Sequence, residues 1–287
     1  MKKMKKSLAA FATDLGGAIQ LYYFVKKNPK LKNFVKYFSF IGDSKFLVKK
    51  KYDVDVNELD YDLIICATSL NDYEKKILDL AIQKKRNTWV IFDNWTNFEK
   101  RLVYKKKKLI PSKLLVSDIY AKKLARKIYP KLTIEKIPNY LLRNLKKKIK
   151  RKLSKKKDIQ NVVYYSSPEF YPLGIEKKMW EDSEEKKLVQ EIKYILDSDI
   201  FNSNRRKLVI RLHPKLNYLR NKKTFKYKKF IEKEKINMES TISSTDISIG
   251  KDTYALFLTK SLGIPTFSLV KNLYNRRLNF PINIDSL

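Results

Sequence analysis

The sequence is poor in residues that build special sites. It has one cysteine, Cys66, and one histidine, His213, in 287 residues. A single thiol cannot pair within the chain, which excludes a disulfide scaffold and fits a reducing compartment. One histidine and one cysteine also leave no ligand set for a structural zinc or an iron–sulfur cluster, so no metal site is expected. Glycine is scarce, at six residues, and none forms the G-x-G-x-x-G turn of a dinucleotide-binding loop. No run of 18 apolar residues occurs, so nothing reads as a bilayer-spanning helix. Acidic residues number 30 against 64 Lys and Arg, a net charge of +34.

Apolar residues make up 43% of the chain, with 18 Tyr, 15 Phe and 3 Trp, enough for buried cores despite the charge. The basic excess is 53 Lys to 11 Arg, scattered along the whole sequence. Readers of bases and nucleic-acid phosphates lean on the planar fork of Arg. With no zinc-finger, KH or RRM signature, the charge fits an anionic small molecule or an anionic membrane surface better than nucleic acid. The start, MKKMKKSLAAFATDLGGAIQ, mimics an export signal, but Asp14 breaks its apolar stretch early and no cleavage site follows. A cytoplasmic location is expected.

Short apolar runs alternate with helical patterns. Strands are expected at 7–13, 35–42, 62–69, 88–95 and 113–118, and helices at 14–28, 73–85 and after 118. Ile19, Tyr22, Tyr23 and Phe24 read as the apolar side of the first helix. The pattern restarts after a basic stretch, with strands at 160–167, 207–214 and 264–270 and helices at 184–198 and 253–263. Residues 236–250 read as two short strands in succession. This βαβα order with nearly all-apolar strands predicts α/β architecture with parallel sheets covered on both faces. Residues 1–141 form one Rossmann-like domain, 142–158 a basic linker and 159–287 a second. Leu142, Leu145, Ile149 and Leu153 fall at helical spacing between Lys and Arg, the pattern of a basic amphipathic helix suited to an anionic membrane surface.

Ligands of open parallel sheets bind at the carboxyl ends of strands. Five stretches lie there. In TDLGGAIQ, Gly16 and Gly17 allow close backbone approach of a ligand, and Asp14 is a helix cap or a general base. In FDNWTNFEKRL, Asp93, Asn94, Trp95 and Arg101 follow an apolar strand; Trp95 can stack on a sugar and the polar groups can bind hydroxyls. In KLVIRLHPKLN, His213 follows the strand and Pro214 holds it in extended backbone, where an imidazole can bond a phosphate oxygen. In STDISIGKDTYALFLTKSLG, Gly250 ends a strand and Thr253 opens a helix whose amides suit phosphate; Ser243, Ser244 and Thr245 lie one strand earlier. In YYSSPE, Ser166 and Ser167 are candidate phosphate or ribose contacts. The expected picture is a cleft between two α/β halves, with the donor phosphate on the C-terminal side and the acceptor on the other.

Two Rossmann-like halves, the Gly-Gly turn, strand–His–Pro, and Gly-x-x-Thr on a helix followed by Leu-Gly-Ile-Pro resemble a GT-B glycosyltransferase. The C-terminal block is similar to bacterial His-Pro motif enzymes: sialyltransferases, capsule Kdo transferases and polyol-phosphate transferases using CMP- or CDP-activated donors. The resemblance implies that His213, Pro214 and Thr253 contact the donor phosphate, without a bound metal or other cofactor. It implies transfer of a sugar from a nucleotide-activated donor to a hydroxyl of a bacterial surface glycan or lipid-linked acceptor, at the inner face of the cell membrane, with Asp14 or Asp93 as the base that removes the acceptor proton and His213 stabilising the departing phosphate. TDLGGA carries one Asp where sialyltransferases of this kind carry a paired acidic motif, and the helix at 253–263 has no Glu for a donor ribose. A nucleotide-sugar epimerase of similar build and a basic nucleic-acid-binding protein are the alternatives.

Overall fold

The computed structural model describes residues 7–31, 34–40, 61–68, 72–94, 97–149, 159–168, 175–232, 238–270 and 285–286. The chain divides into two compact units, Met1–Arg143 and Asn144–Leu287.

The first unit carries β1 (Ser7–Ala12), α1 (Leu15–Lys27), β2 (Val35–Phe40), β3 (Leu63–Ala67), α2 (Asp72–Gln83) and β4 (Asn87–Phe92). There follow a one-turn helix α3 (Phe98–Arg101), a hairpin of β5 (Val103–Tyr104) and β6 (Lys107–Lys108), then β7 (Lys113–Val116), α4 (Ile119–Ile128) and β8 (Ile134–Lys136). The six-stranded sheet runs β2-β1-β3-β4-β7-β8, and every pairing in it is parallel. Both faces are covered, which is why β1 and β3 read as continuous apolar runs. Cys66 lies fully buried in β3, where lost hydration lifts its thiol well above the usual cysteine range and keeps it inert.

Helix α1 packs on this sheet through Ala18, Leu21, Phe24 and Val25, all in the core with Ala10, Ala12, Ile65 and Ala67. The packed stripe therefore differs from the expected one: Ile19, Tyr22 and Tyr23 are only half-buried, and only Phe24 is shared. Large aromatics outweighed the smaller Ala18 and Val25 in the sequence reading, whereas the 3–4 spacing through Leu21 determines the face.

The second unit begins within helix α5 (Tyr140–Ile149) and continues with β9 (Gln160–Tyr165), α6 (Lys177–Leu196) and β10 (Arg206–Arg211). A 3-10 helix, Pro214–Arg220, follows, then α7 (Met238–Ser244), β11 (Ile247–Gly250), α8 (Tyr254–Ser261), β12 (Thr266–Ser268) and β13 (Asp285–Ser286). Its sheet order is β10-β9-β11-β12-β13, again all parallel. Gly263, with φ of +78°, stops α8, and its N–H bonds the carbonyl of Lys260 at 3.0 Å.

One expectation is overturned here: residues 238–244 form α7, not a strand. The hydroxyls of Ser243, Ser244 and Thr245 donate to the carbonyls of Glu239, Thr241 and Thr241, meeting their hydrogen-bonding demand along the helix. Helix α6 also begins seven residues earlier than its pattern suggested, with Trp180 and Glu184 buried. Of the apolar seam in the basic stretch, Leu145 is buried within the protein and Leu142 is half-buried. Leu153 and the side chain of Ile149 lie outside what is described. Among the described residues no helix is long and apolar enough to cross a membrane.

Candidate functional site

Each sheet reverses its strand order once, and the loops diverging there form its binding edge. In the first unit the reversal lies between β1 and β3; in the second, between β9 and β11.

At the first edge, Asp14 caps α1: its carboxylate accepts from the Gly17 N–H at 3.3 Å. Asp93, directly after β4, is buried and ion-paired with Arg101 (Nη1 to Oδ1, 2.7 Å). Arg101 Nη2 donates to Asn94 Oδ1 at 2.7 Å, and Asn94 Nδ2 donates to Asp93 Oδ2 at 3.1 Å. Arg101 also donates to the Thr68 carbonyl beyond β3, and its guanidinium lies 5.3 Å from the centre of the Phe92 ring. The one-turn helix α3 carries Phe98 against Phe92, which places Arg101 back over the strand end.

The glycines do permit close approach, but by the protein's own atoms. A Cβ on Gly16 would stand 2.6 Å from Asp93 Oδ2 and 3.4 Å from Asp14 Oδ2; one on Gly17 would stand 3.0 Å from the Ala67 Cβ. Gly16 thus lets two carboxylates share one corner, and Gly17 seats α1 on β3. Asp14 as a residue reaches solvent. Its carboxyl nevertheless loses hydration, and the charge of Asp93 adds to this, so its proton affinity stands above the ordinary aspartate range; the Gly17 and Gly16 amides and Arg101 oppose the rise.

A carboxylate that the sequence did not flag stands behind them. Glu74, on α2, is fully buried and accepts from both the N–H and the hydroxyl of Thr13 at 2.7 and 2.6 Å, one residue before Asp14. Burial raises its proton affinity. Thr68, at the β3 end, is 2% exposed, and its hydroxyl oxygen has no hydrogen-bond partner among the described residues. Glu74 lay hidden in a helical pattern whose other positions are ordinary. Trp95 falls outside the described residues.

At the second edge, His213 follows β10 by two residues, with φ −61° and ψ 145°, the extended backbone expected before Pro214. Pro214 does not end the local structure, however; it opens the 3-10 helix that His213 caps. His213 Nδ1 accepts from the Lys215 N–H at 3.2 Å, so the neutral ring carries its proton on Nε2. Partial burial of the ring, with Lys215 adding, lowers its pKa to about 4; the residue as a whole is exposed, so solvent moderates the effect.

Ser166 is 5% exposed, donates to the Arg211 carbonyl at 3.3 Å and accepts the His213 N–H at 2.8 Å. Its hydroxyl thus holds the His213 backbone at the strand end. Ser167 donates to Asp252 Oδ1 at 3.2 Å, across the β9/β11 reversal. Thr253 caps α8, accepting from the Ala255 N–H at 3.4 Å. Gly250 is small because the Tyr165 carbonyl and Thr253 methyl would each lie 3.1 Å from its Cβ. Below this edge, Arg211 is held by Glu232 (2.9 Å) and Thr241 (2.5 Å), and Thr241 donates to Glu232 at 2.8 Å. Ser243, Ser244 and Thr245 end α7 rather than a strand, and the Thr245 hydroxyl bonds Tyr165. Among the described residues no group of three or more His, Cys, Asp or Glu gathers as metal ligands would.

No family model matches the chain, and no curated protein does. Solved structures do. The architecture is that of the two-domain GT-B enzymes, and the likeness takes in both units. The S. aureus MnaA–UDP co-structure aligns at TM-score 0.63 and 14% identity, over 93% of this chain and 79% of that one. A structure of the wall teichoic acid polymerase TagF soaked with CDPG aligns at 0.53 and 13%, over 98% and 77%. A Listeria monocytogenes protein assigned as a UDP-N-acetylglucosamine 2-epimerase aligns at 0.55 and 11%, over 93% and 80%. At these identities the likeness is one of fold.

Proposed function

We propose that this protein is a transferase that moves a sugar from a nucleotide-activated donor to a hydroxyl of a bacterial surface glycan or its lipid-linked precursor. The observation that carries the reading is His213. Its Nδ1 is occupied by the Lys215 N–H, and its backbone is fixed by Ser166 and Pro214 at a strand's carboxyl end. The neutral ring therefore carries a donor at Nε2, which suits an acceptor such as a phosphate oxygen. Thr253 and the positive end of α8 supply a second phosphate contact.

Asp14 is the base in this reading. Asp93 has one oxygen on Arg101 and the other on Asn94, whereas Asp14 reaches solvent and is the better proton acceptor of the two by position. The acceptor hydroxyl gives its proton to Asp14, and its oxygen forms the new bond to the sugar's anomeric carbon. The bond from that carbon to the phosphate oxygen breaks, and its electron pair stays on the phosphate. His213 and the α8 terminus stabilise the charge that appears there. Asp93 and Arg101 position the Asp14 corner.

CMP- and CDP-linked donors are slightly favoured by the His-Pro pattern; a TagF structure soaked with CDPG accords with this. The test is a thermal-shift screen with CMP, CDP, UDP and GDP, followed by nucleotide release from the matching activated donors with and without acceptor. Turnover that requires acceptor supports the transferase. The epimerase reading is favoured by the alignment, at TM-score 0.55, to the Listeria monocytogenes protein assigned as a UDP-N-acetylglucosamine 2-epimerase. Conversion of UDP-GlcNAc to an epimer with no acceptor present would establish it instead.

A further inference from the structure

We propose that Glu74 is a positioning residue for the base: by holding both polar groups of Thr13 it fixes the end of β1, and thereby aims the Asp14 carboxyl. The inference rests on the reading of Asp14 as the base and adds to it a group from another element, α2.

Asp14 sits at a joint. β1 ends at Ala12 and α1 begins at Leu15, so only Thr13 and Asp14 link them. On the helix side α1 itself fixes the joint. The Asp14 carbonyl accepts the Ala18 N–H at 2.9 Å, and its carboxylate accepts the Gly17 N–H. On the strand side the pairing of β1 with both neighbours stops at Ala12, opposite Phe40 and Ala67. Thr13 lies beyond those ladders and needs another hold. Its N–H and its hydroxyl both donate to Glu74 Oε1, 61 residues along the chain, at 2.7 and 2.6 Å. Two bonds from one residue to one atom restrict both the backbone and the side chain of Thr13. Asp14 is the next residue, so its backbone direction follows.

A carboxylate suits this task. Glu74 is fully buried in the first turn of α2, where it also accepts its own N–H and faces the positive end of that helix. An ionised oxygen holds two donors more strongly than a neutral one does. The hold matters because proton transfer needs the base within hydrogen-bond reach of the acceptor hydroxyl, and a displacement of about 1 Å costs about a hundredfold in rate.

The experiment compares Glu74→Gln, Glu74→Leu, Thr13→Val and Asp14→Asn with wild type in the full chain. Nucleotide affinity is read by calorimetry with CDP and UDP. Turnover is read as nucleotide release from UDP-N-acetylglucosamine and from CMP- and CDP-activated sugars, with octyl glycosides as acceptors. Glu74→Leu should lower kcat about tenfold to a hundredfold with nucleotide Kd unchanged. Glu74→Gln keeps an accepting oxygen and should restore kcat to within about threefold of wild type. Thr13→Val loses only the hydroxyl bond and should fall between; adding it to Glu74→Leu should cost nothing more. Should Glu74→Leu not fold, Thr13→Val against Thr13→Ser makes the same comparison. Wild-type kcat in Glu74→Leu, or equal losses in Glu74→Leu and Glu74→Gln, overturns the positioning role and leaves Asp14 as the base. Turnover retained by Asp14→Asn, or absent from wild type with every donor, overturns the transferase mechanism and this inference with it.

Discussion

Acidification should charge His213 late. Its pKa near 4 leaves about one ring in a thousand protonated at pH 7. The bond from the Lys215 N–H fixes the Nε2–H tautomer. Because the sequence has one histidine, every imidazole signal in a proton–nitrogen spectrum of the uniformly labelled protein belongs to this ring. The nitrogen shifts report the tautomer, and a titration from pH 8 to pH 3 reports the pKa. If a bound phosphate dianion lifts the pKa to about 6, the protonated ring binds about a hundredfold more tightly than the neutral one. Stability should follow with a defined sign. The unfolded chain protonates near 6.5 and the folded protein near 4, so the unfolded state takes up the proton first. The protein therefore loses stability as pH falls between those values. Screening of this exposed residue limits that loss to about 1 kcal/mol. A free-protein pKa at or above 6.5 would refute the placement of the ring. So would a titration unchanged by a nucleotide that calorimetry shows to be bound.

Arg101→Met leaves Asp93 buried without its cation and should cost about 3–5 kcal/mol in chemical denaturation; adding Asp93→Asn should recover much of it. Gly16→Ala places a methyl 2.6 Å from an Asp93 oxygen that Asn94 holds, and should cost about 1–3 kcal/mol by the same measurement. Glu74 holds its proton to higher pH folded than unfolded, so its contribution to stability falls as pH rises through the raised value. Glu74→Gln, which keeps both Thr13 bonds, should gain on wild type at pH 7 and lose that gain at pH 4, read as a shift in Tm. With Leu145 buried, any attachment to anionic vesicles should rest on charges such as Lys146 and Lys147, so a flotation assay should show none at moderate salt.

The architecture was legible because buried parallel strands have a simple signature. LAAFA, LIICA and VVYY are apolar without alternation, and only a sheet covered on both faces asks for that. The strand ends followed, and with them Asp14, Asp93, His213 and Thr253. The β5–β6 hairpin was not legible: Lys105 and Lys106 make its turn at φ of 46° and 63°, a region where Asn-Gly is the usual signal. Helix α7 was misread because Ile and Thr favour strands, while the hydroxyl bonds that settle Ser243 to Thr245 exist only once the chain is folded. The same limit hid the partners. Nothing in TDLGGA shows that the carboxylate crowding Gly16 comes from residue 93, or that Ser166 holds the His213 amide.

In both sheets the strand at the order reversal is synthesised before its neighbours. β1 waits for Val35–Phe40 and then Leu63–Ala67, and β9 waits for Arg206–Arg211 and Ile247–Gly250. A nascent chain therefore holds out a sticky, unpaired ribbon while dozens of further residues leave the ribosome. Vectorial folding can complete the first of these sheets long before the second is begun, and chaperone demand should peak twice during one round of translation.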